Sequence, residues 1–275
     1  MWLNPEVLSS FSGFFFLEQS LFKQEILVQI HFAFFPGPFF DVFIYIRARV
    51  VKSVIMKTVV AVHTALAMVE PVKKLFADNL PEVRLINIVD DSLIQDVIRE
   101  GKVPDPVRKR LFHYYDAAVE TGADVIFNTC SSVGDVAIEA REKLPIPLVK
   151  IDDAMARKAV QEYSRIGVMA TLPTTLDPTR RLIERFASEF FREVEIVEGL
   201  AEGAFQSLMD GDPDRHDRLV LQTAVDLAGR VDAFVLAQGS MARVQDAILE
   251  KTGKAVLTSP LSGTLEVRSV IEGLK

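Results

Sequence analysis

Two stretches of this 275-residue chain repeat each other at a nearly constant distance, and that repeat limits the folds open to it more than any other feature. His63 and Thr64 are followed by Glu70-Pro71-Val-Lys-Lys-Leu-Phe76; 107 residues later, Ala170 and Thr171 are followed by Asp177-Pro178-Thr-Arg-Arg-Leu-Ile183. Further on the offset is 108, with Asp124-Val-Ile-Phe-Asn-Thr-Cys130 over Asp232-Ala-Phe-Val-Leu-Ala-Gln238 and Pro147-Leu-Val over Ala255-Val-Leu. Such a period is far longer than the roughly 20–50 residues of solenoid repeats. It describes a duplicated half, two similar lobes facing each other across a cleft.

Within each half, short Val/Ile-rich runs alternate with amphipathic stretches, the pattern of βα units that build parallel sheets. Strands are predicted at Thr58–Val62, Val83–Val89, Asp124–Asn128 and Leu148–Ile151, then at Arg165–Met169, Glu193–Val197, Ala233–Ala237 and Ala255–Leu257. Helices are predicted over Pro106–Glu120, Met155–Glu162, Pro178–Glu189 and Arg215–Ala228, the last entered through Asp212-Pro213 and left through Gly229. The expected fold is therefore α/β, with two pseudo-symmetric lobes, each a four-stranded parallel sheet flanked by helices, and the active site between them. Residues 56–163 plus 262–275 should form the first lobe and 164–261 the second.

Residues 1–55 differ from the rest. Eleven of the 19 phenylalanines lie there, and their charges cancel, so the net −7 belongs to residues 56–275. Gln29, His31, Pro36, Gly37, Pro38 and Asp41 interrupt any apolar run approaching the ~20 residues of a membrane span. The first basic side chain is Lys23, which does not suit a secretory signal. Met56-Lys57-Thr58 leads straight into the first predicted strand, so the stretch before it reads as a leader outside the fold, in preference to an extra hairpin or a partner-binding arm.

One cysteine excludes an internal disulfide and multi-thiolate metal sites, and suits the reducing cytoplasm. The acidic balance argues against a nucleic-acid partner. G-x-G-x-x-G and G-x-x-x-x-G-K-[ST] are missing. Asp210-Gly-Asp212-Pro-Asp214 imitates a calcium loop but carries Arg215 and Leu221 where Gly and Glu are required. No metal and no cofactor is expected, nor a membrane partner; a small carboxylate is the expected ligand and a homo-oligomer the expected assembly.

In open parallel sheets, ligands bind beyond the carboxyl ends of the strands. In the first lobe those positions carry His63, Thr64, Asn128, Cys130, Ser131 and Ser132; in the second, Thr171, Thr174, Thr175, Gln238, Gly239 and Ser240. Cys130 is the only thiol and sits at a strand-to-helix turn, where a helix N-terminus can lower a thiol pKa. Its bland alternative is a small buried core residue. Ser131, Ser132, Gly239 and Ser240 could donate to a carboxylate or oxyanion, and could equally cap helices. His63 is a candidate acid or base, or a hydrogen-bonded strand end. His113 and His216 fall in helices, where surface positions are expected.

At these residues the chain resembles the aspartate/glutamate/hydantoin racemase superfamily. The resemblance runs from about Met56 to the C-terminus and is strongest at Asp124–Asp135, at Gly167-Val-Met-Ala-Thr171-Leu-Pro-Thr-Thr175 and at Val235-Leu-Ala-Gln-Gly-Ser-Met-Ala242. It implies a cofactor-independent enzyme, an amino-acid racemase-like isomerase working at the α-carbon of a small carboxylate or amino-acid derivative. Many members use two cysteines, one per lobe. The first falls on Cys130, while the second falls on Gln238, whose carboxamide cannot exchange protons at neutral pH. The remaining positions are expected to hold substrate. The superfamily also contains single-cysteine decarboxylases and lyases, and a non-catalytic carboxylate-binding protein is a further alternative.

Overall fold

The structure, a computed structural model, describes residues 16–20, 26–34, 42–50 and 56–274. The chain separates into two compact units, Met1–Ile55 and Met56–Lys275. In the first unit, β1 (Phe16–Ser20), β2 (Ile26–Phe34) and β3 (Val42–Val50) pair antiparallel in that order, with Phe16 opposite His31 and Ile26 opposite Val50. The antiparallel pairing matches the hairpin weighed against a leader for this stretch, and runs such as Val42-Phe-Ile-Tyr-Ile46 carry the β-branched and aromatic residues that favour strands.

The second unit holds two four-stranded parallel sheets of matching topology. The first has the order β5-β4-β6-β7, with β4 Thr58–His63, β5 Arg84–Val89, β6 Val125–Asn128 and β7 Leu148–Lys150. The second has the order β11-β10-β8-β9, with β8 Arg165–Ala170, β9 Glu195–Leu200, β10 Ala233–Leu236 and β11 Ala255–Thr258. The central strands β4, β6 and β10 are buried along their whole length, which is why they read as continuous apolar runs. The edge strand β5 is exposed at both ends. The duplication extends to single hydrogen bonds. Asp124 accepts from the Thr58 amide at 2.8 Å and pairs with Lys57, while Asp232 accepts from the Arg165 amide at 3.0 Å and pairs with the Arg165 side chain.

Helices cover both faces of each sheet. In the first lobe, α1 (Val69–Asn79) sends Val72 and Phe76 into a core with Val59, Ala61 and Phe127. The Phe76 and Phe127 rings lie 5.9 Å apart, and burying each such ring is worth about 2–3 kcal/mol. On the other face, α2 (Ser92–Glu100) and α3 (Asp105–Glu120) bring Leu93, Val97, Leu111 and Tyr115 against β4 and β6. The helix α2 ends on Gly101 at φ 67°, a left-handed position suited to glycine.

Two helices change sides. The helix α5 (Asp153–Glu162) follows β7 of the first sheet, yet Met155, Ala156, Ala159 and Val160 pack with Val168, Val235 and Ile183 of the second lobe. Conversely, α10 (Ser259–Gly273) follows β11 of the second sheet, and Val267 joins the first-lobe core around Val59 and Phe76. Arg157 of α5 binds Glu266 of α10 at 3.1 Å. The approach of α10 is close. A Cβ at Gly263 would stand 2.4 Å from the Ile151 carbonyl oxygen, so only glycine fits there. The sequence reading assigned the return of residues 262–275 to the first lobe; it left α5 in that lobe, whereas the chain passes to the second core once β7 ends.

Other boundaries also moved. The helix α6 spans Pro173–Glu189, beginning five residues before the expected start at Pro178. Pro173 supplies the preset φ of a first helical residue, and Pro178 is accommodated inside the helix. Strand β9 starts at Glu195 and runs on to Leu200. His216, expected at the surface, is fully buried in α8 (Pro213–Leu227), with Nδ1 2.8 Å from Asp217 Oδ1. Among the described residues, no helix is long and apolar enough to cross a membrane.

Candidate active site

The carboxyl ends of β4, β6, β8 and β10 converge on a cavity of about 490 Å³ lined by both lobes. Eight of the residues singled out in the sequence line it: Thr64, Cys130, Ser131 and Ser132 from the first lobe, Thr175, Gln238, Gly239 and Ser240 from the second. Cys130 and Gln238 stand at matching points, each directly before a 3-10 turn, Ser131–Val133 and Gly239–Val244 respectively. Their backbones agree as well, with φ −128° and ψ 118° at Cys130 against −123° and 137° at Gln238.

Each of these side chains has a threonine from the end of the neighbouring strand beside it. Thr64 lines the cavity with Cys130, and its hydroxyl favours the thiolate. Thr171 donates its backbone N–H at 2.5 Å and its hydroxyl at 2.9 Å to Gln238 Oε1. With the carbonyl oxygen engaged, Gln238 retains its Nε2 amide as a donor. Ser132 Oγ and Thr175 Oγ1 lie 2.9 Å apart, joining the lobes across the cavity floor.

Part of Cys130 opens on the cavity. Burial nevertheless pushes its thiol above the ordinary value of 9.0, against the pull of the Thr64 hydroxyl, the Ser132 and Val133 amides and the Ser132 hydroxyl. The sequence reading anticipated the opposite direction from the adjacent helix start. Here α4 (Gly134–Arg141) is short and follows a 3-10 turn, and loss of water around sulfur outweighs the donors at that turn. The thiol is accordingly neutral at pH 7, the form that can deliver a proton.

The other four candidates do not line the cavity. His63 is wholly buried, with Nε2 2.9 Å from Asn87 Oδ1 and Nδ1 2.9 Å from Thr129 Oγ1. Burial lowers its pKa from the usual 6.5, the Asn87 hydrogen bond opposing, so a neutral ring ties β4 to β5 and to the end of β6. It does not line the cavity itself and reaches it only through Thr129, which does. Asn128 accepts from the Tyr115 hydroxyl at 3.0 Å and donates to the Cys130 carbonyl at 3.0 Å; it fixes the turn that presents the thiol. Thr171 acts through Gln238. Thr174 falls in the first turn of α6, its Oγ1 buried and without a partner among the described residues.

Sequence reasoning missed the outer walls. Ile94 and Ile98 come from α2, and Phe205, Leu208 and Met209 from α7 (Ala204–Met209). Both helices follow the edge strand β5 or β9 of their sheet, so the walls are related by the same duplication. Apolar residues on short helices carry no motif; only the spacing Leu93, Val97 for the core against Ile94, Ile98 for the opposite edge could have suggested them. Asp152 and Asp153, at another strand end, do not line the cavity and lie with Lys150 at 3.4 and 3.5 Å. Among the described residues, no cluster of three His, Cys, Asp or Glu side chains is placed to hold a metal ion.

A family model described as Asp/Glu/Hydantoin racemase matches residues 58–264. A sequence comparison with curated proteins returns no match. Among solved structures, a glutamate racemase from Bacillus anthracis superposes with a TM-score of 0.63 at 14% identity, over 79% of this chain and 82% of that one. An allantoin racemase from Klebsiella pneumoniae gives 0.61 at 17% identity, over 78% and 88%. A glycine-to-cysteine mutant of arylmalonate decarboxylase gives 0.52 at 16% identity, over 79% and 94%. At these identities the likeness is one of fold.

Proposed function

Because this chain belongs to the Asp/Glu/hydantoin racemase family, we propose that it is a cofactor-independent enzyme in which Cys130 carries a proton to or from the α-carbon of a small carboxylate. One observation carries this reading: the only thiol of the chain faces a cavity between the lobes, at the end of a central strand, ringed by neutral hydrogen-bond donors. Ser131, Ser132, Gln238 and Ser240 can receive the carboxylate, and as charge moves onto its oxygens in an enolate-like state those donors gain strength. The neutral Cys130 thiol then gives its proton to carbon, leaving a thiolate that the Thr64 hydroxyl and the Ser132 and Val133 amides stabilise. In the reverse direction that thiolate removes the proton.

Gln238 favours a second reading within the same family. A two-base racemase needs an acid or base on each face of the carbon, and the second lobe offers a carboxamide held by Thr171. A decarboxylase or lyase needs only one, delivering a single stereodefined proton. Candidate chiral carboxylates and malonate half-acids in deuterated water separate the readings. Exchange with inversion marks a racemase; net loss of carbon dioxide or a leaving group, with one-sided deuterium uptake, marks the lyase. No exchange or turnover with any of them, alongside ordinary binding, would leave a carboxylate-binding protein.

A further inference from the structure

The cavity has two chemically distinct ends. Its inner end, at Cys130 and Gln238, is a ring of neutral polar groups. Its outer walls are mostly carbon: Ile94, Ile98 and Leu66 on the first lobe, with Gln95 the neutral polar exception on α2, and Phe205, Leu208 and Met209 on the second. Among the described residues, no Lys, Arg or His lines any part of it, and the one charged lining residue is Asp91, exposed at the start of α2.

We propose that α2 and α7 form a pocket for an apolar substituent on the reacting carbon, so that the substrate class is a monocarboxylate bearing a branched-alkyl or aryl group rather than a dicarboxylic amino acid. This rests on the reading of the Cys130 end as the carboxylate site. A carboxylate buried without a counter-charge or a full set of donors loses its hydration with little return. The inner ring can satisfy one such group. A second one, reaching along the substrate toward the outer walls, would meet aliphatic and aromatic side chains, the single neutral amide of Gln95 and the negative charge of Asp91, with no cation to offset its own. An apolar substituent placed there removes its own surface and that of Ile98 and Phe205 from water together, a gain of about fourfold in affinity per buried methylene. The half-buried state of Ile94, Ile98, Phe205 and Leu208 fits walls that a ligand would complete.

The test is direct binding to the full chain by isothermal titration calorimetry at neutral pH, comparing phenylacetate and 4-methylpentanoate with succinate and glutarate. The apolar acids should bind at least about tenfold tighter. Ile98→Gln and Phe205→Gln, checked for an unchanged thermal melt, should each weaken that binding by about tenfold and narrow the preference over succinate. Equal or tighter binding of the dicarboxylates, or failure of both apolar acids to bind at millimolar concentration, overturns the assignment. The wild-type comparison decides even if a variant is unstable. The two proposals fail separately: apolar preference without deuterium exchange refutes the thiol chemistry and keeps the pocket, whereas exchange into dicarboxylates does the reverse.

Discussion

Gln238 occupies in the second lobe the place that Cys130 occupies in the first, with the same backbone conformation and a strand-end threonine beside it, Thr171 for Gln238 and Thr64 for Cys130. The scaffold for a pair of thiols is thus duplicated while the thiol itself is present once.

Replacing Gln238 by cysteine should therefore place a second thiol beside the Thr171 hydroxyl, as Cys130 stands beside Thr64. The wild type should exchange deuterium with retention or yield one stereoisomer; Gln238→Cys should gain measurable racemisation. Optical rotation and NMR in deuterated water follow both. Fast racemisation by the wild type would sink the one-face argument.

The raised thiol pKa has its own signature. Alkylation of Cys130 by iodoacetamide should be slow at pH 7 and climb through and beyond pH 9.0, the ordinary thiol value. Activity that uses the neutral thiol should persist to neutral pH and fall as the thiol ionises. Thr64→Val removes a stabiliser of the thiolate and should move the alkylation profile to higher pH, which slows labelling at fixed pH by about tenfold for every tenfold drop in the thiol's ionisation constant. Cys130→Ala and Cys130→Ser should both abolish turnover with an unchanged melt. An alkylation midpoint below pH 8 would contradict the burial argument.

His63 predicts acid sensitivity. Its folded-state pKa lies below the usual 6.5, so the unfolded chain takes up the proton first as pH falls. The stability contributed by the neutral ring is present above about pH 6.5 and is lost as the pH drops toward the folded pKa. Denaturant melts between pH 7.5 and 5 should show this slope. His63→Gln should be less stable at pH 7.5 and lose less on acidification; an unaltered slope would assign the effect elsewhere.

Gly263→Ala should destabilise the second unit by about 1–3 kcal/mol, because its Cβ meets backbone at Ile151 that cannot swing aside as a side chain could. A chemical melt measures it, with Gly273→Ala, whose Cβ meets nothing within 4 Å, as the control.

Met56–Lys275 expressed alone should melt within about 2 kcal/mol of the full chain, since it forms its own compact unit and a larger loss is typical of removing packed core. Insolubility of that fragment would make residues 1–55 part of the fold.

What the sequence disclosed was governed by periodicity. Buried central strands such as Val125–Asn128 and Ala233–Leu236 are continuous apolar runs and stood out; the edge strand Glu195–Leu200, half polar, was displaced by two residues at its start. The turn positions around Cys130 and Gln238 were legible because strand ends in parallel sheets face the cleft. His63 and Asn128 sit on those same ends, yet their side chains are taken up by Asn87, Thr129, Tyr115 and the Cys130 carbonyl, partners distant in sequence for all but the last. The direction of the Cys130 pKa is hidden for a related reason: the helix start is local, whereas the burial that outweighs it comes with packing on a core whose members, Val62 and Tyr115 among them, are distant in sequence.

The reciprocal placement of α5 and α10 makes the two halves inseparable. Cut between α5 and β8, each fragment would carry a terminal helix whose apolar face packs on the other fragment's sheet, and would lack the helix that covers its own. Two identical halves could satisfy both needs only by trading helices with each other, as a swapped homodimer does. Fusion of such a dimer into one chain yields this arrangement without repacking, and it frees each half to change its strand-end residue alone, a thiol in one and a carboxamide in the other.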